Sequence, residues 1–157
     1  MENLKEIFNN HMLLAPISAW MISQIIKAII NLCVYRKFSF ERLFGDGGMP
    51  STHSATVMAL TTVIGWVAGF GSAVFALSFI FAVVVMRDAL GVRRETGKQA
   101  ASIKQIAESL NQIFHSKDNE IKTENLKVLV GHTPLQVFFG AITGVVIAIA
   151  YILIFSL

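Results

Sequence analysis

Of the chain's 157 residues, 54% are hydrophobic and 15% charged, with a mean hydropathy of +0.62, so an ordinary soluble globule is excluded and a bilayer protein expected. The length suits one domain, residues 1–157, which is too small to bury long charge-free stretches without lipid. A net charge of +3 does not indicate nucleic acid, because the cations flank apolar segments without interleaved aromatics and therefore favour a membrane or a phosphate.

The N-terminal MENLKEIFNN carries acidic residues, no basic leader and no small-residue cleavage site, so the apolar segment after it is expected to stay as a membrane helix. This first span covers about 12–34. Gln24 and Lys27 interrupt it three residues apart and hence on one helix face. An ammonium inside a span costs about 2.5–3.5 kcal/mol, which makes Lys27 a functional candidate unless its stem snorkels to the nearby interface. Cys33 is the sole cysteine, so neither an internal disulfide nor a CxxC metal site can form.

The loop YRKFSFERLFGDGGMPSTHS follows. Its Gly45, Gly47 and Gly48 signal a tight turn, and Pro50 suits the first turn of a new helix. Segments 54–70 and 72–86 read as a transmembrane hairpin about Gly69 and Gly71, each near the short limit for spanning. The polar insertion 94–131 contains Ile103, Ile106, Ala107, Leu110, Ile113 and Phe114 at helical spacing, which predicts an amphipathic helix on the membrane surface or on a neighbouring subunit. His115 and the SKDNEIKTEN stretch read as a solvated turn. The last span, 134–157, opens with Thr133 as N-cap and Pro134 at the first helical position. The expected fold class is all-α, a polytopic membrane helical bundle with about four transmembrane helices plus one amphipathic helix.

Helices that cross alternately put the 35–53 loop and the 87–133 segment on one face, with both termini and the 69–72 turn on the other. Eleven of the thirteen basic residues fall on the first face, Lys5 on the second and Lys27 within a span. The positive-inside rule then predicts that the polar face is cytoplasmic.

Four separated features meet on that face: Lys27, GGMPSTHSA opening the second span, MRDALGVRR closing the third and GHTPLQ opening the fourth. A helix start presents outward-facing amides and the positive end of the dipole, so Ser51, Thr52, His53 and Ser54 suit an anion such as phosphate. Lys27 and Arg87 are candidates to neutralise it. His53 and His132, at two different helix starts, offer one imidazole to attack phosphorus and one to protonate the leaving oxygen. Taken one at a time these features have plainer readings. PSTHS and GHTP also describe capped helix starts, Arg87 beside Asp88 an interfacial ion pair, and RRETGK a solvated basic flank.

At these residues the chain resembles the type 2 phosphatidic acid phosphatase and vanadium haloperoxidase superfamily, as a short, divergent member of an acid-phosphatase-related branch found in bacteria and plastids. The superfamily carries K-x6-R-P, then P-S-G-H, then S-R-x5-H-x3-D. Pro50-Ser51-Thr52-His53 resembles the second motif with threonine for glycine, and Arg87 stands at the arginine of the third. His132 matches the nucleophile that ends the third motif, and Lys27 matches the first lysine. The resemblance spans roughly residues 24–144. It implies a helical bundle, a phosphohistidine on His132, His53 as general acid, and Lys27, Ser51, Thr52 and Arg87 as phosphate ligands.

The sequence also departs from the pattern. An insertion from Arg94 to Gly131 splits the third motif and leaves Arg93 where a contiguous motif would have its histidine. Gln136 stands where the superfamily often keeps the aspartate that orients the nucleophile, with Asp88 or Asp46 as substitutes from elsewhere on the face. No Arg-Pro follows Lys27, so Arg36 or Arg42 would serve. Asp88, Arg93, Arg94 and Gln136 are therefore supporting candidates. The expected function is a metal-independent, cofactor-free membrane phosphatase, a phosphoric monoester hydrolase acting on a lipid or polyprenyl phosphate. The alternatives are a non-catalytic protein that binds or moves such a lipid, and a structural or regulatory protein whose 102–114 helix docks a partner. A bacterial cell membrane is expected before a plastid one. A homo-oligomer is expected because so small a bundle offers little lateral wall to a polar centre.

Overall fold

A computed structural model describes residues 2–35, 48–114 and 132–157, and all regular structure among them is helical. The helices are α1 (Glu2–Phe8), α2 (His11–Tyr35), α3 (Thr52–Ala68), α4 (Ala73–Leu90), α5 (Val92–Phe114) and α6 (Pro134–Phe155). Arg36, Lys37, Arg42, Gly45, Asp46, Gly47 and the part of the polar insertion from His115 to Gly131 lie outside the described residues. Among the described residues, three helical stretches are long and apolar enough to cross a membrane: His11–Val34, Ala73–Asn111 and Pro134–Phe155. With the 17-residue α3 among them they make an all-α membrane bundle.

Small residues repeated every fourth position organise the bundle. On α2 the buried positions include Ala15, Ala19, Ser23 and Lys27; on α3 they include Ser51 at the cap, then Ala55, Ala59 and Val63; on α6 they include Gly140, Gly144, Ala148 and Ile152. Positions four apart form a ridge on one helix face, and ridges of small side chains let backbones approach closely. Lipid is as apolar as leucine, so helices here associate through such contact and not through expulsion of water. The approach is tightest between α3 and α6. A Cβ on Gly140 would lie 2.5 Å from the Ser51 carbonyl oxygen, and one on Gly144 would overlap the carbonyl of Ala55. Helix α3 is thereby the hub, packed against α2, α4 and α6.

Threonine hydroxyls inside this apolar setting are satisfied by the helix itself. Thr56, Thr61 and Thr62 donate to the carbonyls of Thr52, Val57 and Met58 at 2.8, 2.8 and 2.7 Å. Thr61 Oγ1 also lies 3.2 Å from the Ser78 carbonyl and so stitches α3 to α4. The rest of α4 is mostly exposed apolar surface, including Leu77, Phe79, Ile80 and Val84, as suits a lipid-facing helix.

Two boundaries differ from the sequence expectation for one reason. Helix α4 continues past Met86 through Arg87 and Asp88 to Leu90, and α5 begins at Val92, ten residues ahead of the expected Ser102. Charge ends an apolar window without ending a helix; the interruption falls at Gly91, whose N–H still bonds the Arg87 carbonyl at 2.9 Å. On α5, Ile103 and Ile106 remain exposed and Ala107 is buried.

The two ends of the bundle differ in chemistry. At one end His11 Nδ1 lies 3.1 Å from the Tyr151 hydroxyl, Phe155 packs on both rings, and Trp66 Nε1 donates to the Leu157 carbonyl at 2.8 Å. The opposite end gathers the close of α2 and α4 with the starts of α3 and α6.

Candidate functional site

The start of α3 is built by serines. Ser51 caps the helix by accepting from the Ser54 N–H at 3.4 Å, and the Ser54 hydroxyl donates to the same oxygen at 3.1 Å. Its own N–H donates to the Gln136 carbonyl at 3.1 Å, which fixes the start of α3 against the first turn of α6. Ser51 and Ser54 are fully buried and Thr52 nearly so, whereas His53 is half-buried. The Ser51 hydroxyl is thus committed to shaping the helix start.

The start of α6 is a capping box. Thr133 Oγ1 accepts from the Gln136 N–H at 3.4 Å, and Gln136 Oε1 accepts from the Thr133 N–H at 3.0 Å. The residue before the cap, His132, is 3% exposed and is tied to the end of α4 by its N–H, 3.3 Å from the Ala89 carbonyl. Its Nδ1 lies 3.3 Å from Gln136 Oε1.

The two histidines meet at this junction. The His53 and His132 ring centroids are 6.0 Å apart with planes at 65°. That separation is within the usual range of a packed aromatic pair, so the rings lie against each other with no room for an anion between them.

Lys27 arrives from α2. It is 4% exposed, and its aliphatic stem runs along Gly48: a Cβ at Gly48 would lie 2.9 Å from Lys27 Cε. Gly48 has φ +88°, a left-handed conformation that suits glycine. The GGMPS turn therefore requires glycine both for its backbone and to admit the lysine. One turn below Lys27, Ser23 Oγ and Gln24 Oε1 are buried with no hydrogen-bond partner among the described residues.

Helix starts and lysine act in the same electrostatic direction. Two adjacent N-termini each present the positive end of a helix dipole, and an ammonium is held beside them in a poorly solvated setting. The arrangement is electrostatically suited to an anion.

Arg87 is placed differently. Ala89 is buried against the start of α6, and Arg87, two residues earlier and so about 200° round the helix, is exposed; Asp88 between them is half-buried. Arg93 and Arg94 occupy the first turn of α5. The structure thus gathers Lys27, Ser51, Thr52, His53, His132 and Gln136, with Asp88 at the margin and Arg87 on the outer side of α4. Sequence reasoning did not pick out Gly48 as the lysine's seat, although a third glycine directly before Met-Pro was the available signal.

Residues 8–147 match the family described as the divergent PAP2 family. Among curated proteins the chain is similar to the uncharacterized membrane protein YuiD of Bacillus subtilis (strain 168), at 40% identity over 150 residues, covering 92% of this chain and 95% of that one. No solved structure gives a significant match.

Proposed function

Because this chain belongs to the divergent PAP2 family, we propose that it is a membrane-embedded phosphatase that releases phosphate from a lipid or polyprenyl phosphate through His132. The observation that carries the reading is the pair of imidazoles at two abutting helix starts beside buried Lys27.

In the proposed reaction the phosphate docks on the first-turn amides around Thr52, with the Lys27 ammonium balancing its charge. A His132 ring nitrogen attacks phosphorus and the ester P–O bond breaks. The proton on His53 passes to the departing alkoxide, leaving a phosphohistidine and a neutral His53. Water then loses a proton to His53 and attacks phosphorus. The P–N bond breaks, and phosphate leaves with both imidazoles restored. Arg87 has the reach of a long side chain and would close over the phosphate only by turning back across α4. Asp88, half-buried at the end of α4, stands at the margin.

A second reading, a protein that binds or carries the lipid phosphate without cleaving it, is favoured by Gln136, a neutral residue where the nucleophile's orienting carboxylate is expected.

Phosphate release by the purified protein, measured over phosphatidic, isoprenyl and polyprenyl phosphates, decides between them. Turnover of any of these supports the enzyme; saturable binding of a radiolabelled lipid phosphate with no turnover supports the carrier. In either case Lys27→Met is expected to weaken that binding about tenfold to a hundredfold, the worth of one charge-assisted hydrogen bond. Unchanged affinity removes Lys27 from the site.

We place the polar face in the cytoplasm from the basic residues around it. A cysteine at Ser109, exposed on α5, in a Cys33→Ser background should resist an impermeant thiol reagent in intact cells. Ready labelling reverses the orientation.

A further inference from the structure

Gln136 takes part in two contacts through one atom, and together they fix chemistry that neither fixes alone. The Thr133 main-chain N–H is an obligate donor, and it lies 3.0 Å from the Gln136 side chain, so the atom there is the amide oxygen and not the amide nitrogen. The same oxygen lies 3.3 Å from His132 Nδ1. Two acceptors do not bond each other. Nδ1 must therefore carry a proton, and in the neutral ring the in-plane lone pair resides on Nε2. An unconstrained neutral imidazole favours the opposite arrangement, so the cap selects against the ring's own preference. The 3.3 Å separation is long for such a bond, as expected where one oxygen serves two donors.

We infer that Gln136 is a positioning residue: its amide oxygen, shared between the α6 capping box and the imidazole, holds His132 as the Nδ1–H tautomer with its nucleophilic lone pair on Nε2, and does so without a negative charge. This rests on the proposed function in taking His132 as the reacting ring, but the tautomer exists whether or not the protein turns over. Rotating the amide to offer its nitrogen would break two hydrogen bonds at once, so the ring's protonation is tied to the integrity of the helix start. A carboxylate in the same place would favour the imidazolium; the amide leaves the neutral, attacking form populated to lower pH. On this account phosphorus would bond to Nε2, and Nδ1 would keep its proton throughout.

Nitrogen NMR of the full chain in lipid nanodiscs, with 15N-labelled histidine, tests this directly. The His132 resonances are identified by their loss in His132→Gln, and long-range proton–nitrogen correlations distinguish the two neutral tautomers. The parent protein should show Nδ1–H. Gln136→Glu retains the box, because glutamate suits its third position, and adds the charge. It should raise the His132 titration midpoint by about one pH unit. Gln136→Leu should let the ring revert to mostly Nε2–H. An Nε2–H tautomer in the parent, or an unchanged midpoint in Gln136→Glu, overturns the inference. If the leucine variant does not fold, the other two measurements still decide. A protein with the Nδ1–H ring that hydrolyses no lipid phosphate would sink the phosphatase reading and leave this one standing.

Discussion

Replacing His132 with alanine should reduce phosphate release by about 10^4-fold or more, because it removes the atom proposed to bond phosphorus and leaves only binding and the helix-start amides. The fold should survive. The His132 N–H to the Ala89 carbonyl and the Thr133 cap are main-chain and neighbouring interactions that alanine retains. Lipid-phosphate binding measured on the same preparation therefore separates lost chemistry from lost structure. His53→Ala should cost less, about 10^2–10^4-fold, and its cost should depend on the leaving group. An alkyl ester needs a proton on its departing oxygen, whereas an activated aryl phosphate does not, so the variant should recover much of its rate on the aryl ester. Equal loss on both esters would remove His53 as the acid. Unimpaired turnover in His132→Ala would remove the nucleophile and the proposed mechanism with it.

The largest structural effect is expected at Gly144. A methyl group there overlaps the Ala55 carbonyl, which belongs to helix backbone and has no side-chain freedom with which to yield. Gly144→Ala should destabilise by about 1–3 kcal/mol, the usual cost of overpacking, and Gly144→Leu should prevent α3 and α6 from seating at all. Thermal unfolding in detergent reads both. Gly71→Ala is the control, since nothing lies within 4 Å of its added Cβ, and its midpoint should match the parent. A Gly144→Leu protein that melts like the parent would mean that α3 and α6 do not pack as described. Because Ser51 donates to Gln136 across the same seam, lesions at Gly140, which abuts Ser51, or at Gly144, one turn further along, should also loosen the site.

The parts of the fold legible in the sequence were those that depend on which residues lipid tolerates. Charge-poor runs marked the long apolar helices, Pro134 after Thr133 marked a helix start, and Gly69 with Gly71 marked the short turn. The meeting of PSTHS with GHTP followed from counting crossings. Hidden from hydropathy was the repeat of small residues. To a transfer scale Gly144, Ala55 and Ala19 are mildly apolar letters, and their importance lies in being four apart and narrow. Also hidden was the side of the helix on which Arg87 stands, because a motif specifies order along the chain and Ala89 settles rotation about it. Gln136 was visible as a missing carboxylate. Thr133-Pro-Leu-Gln136 carries the spacing of a capping box in the sequence, but that the imidazole shares its oxygen could be recognised only once the Thr133 N–H and the ring were seen to converge on one atom.

Helix α3 has 17 residues, which at 1.5 Å per residue is roughly 26 Å, a few ångströms less than the thickness of about 30 Å typical of a bilayer's hydrocarbon. Since α3 is the hub that the other helices grip, its mismatch is imposed on the whole assembly. Where the surrounding leaflet dips toward it, the level at which lipid phosphates reside would approach His53 and His132. A substrate would then need little vertical displacement to reach the imidazoles, while its tail stays in the leaflet. Acyl-chain length of the host membrane would thereby act on the proposed reaction, with thin bilayers easing access and thick ones penalising it by fractions of a kcal/mol per ångström.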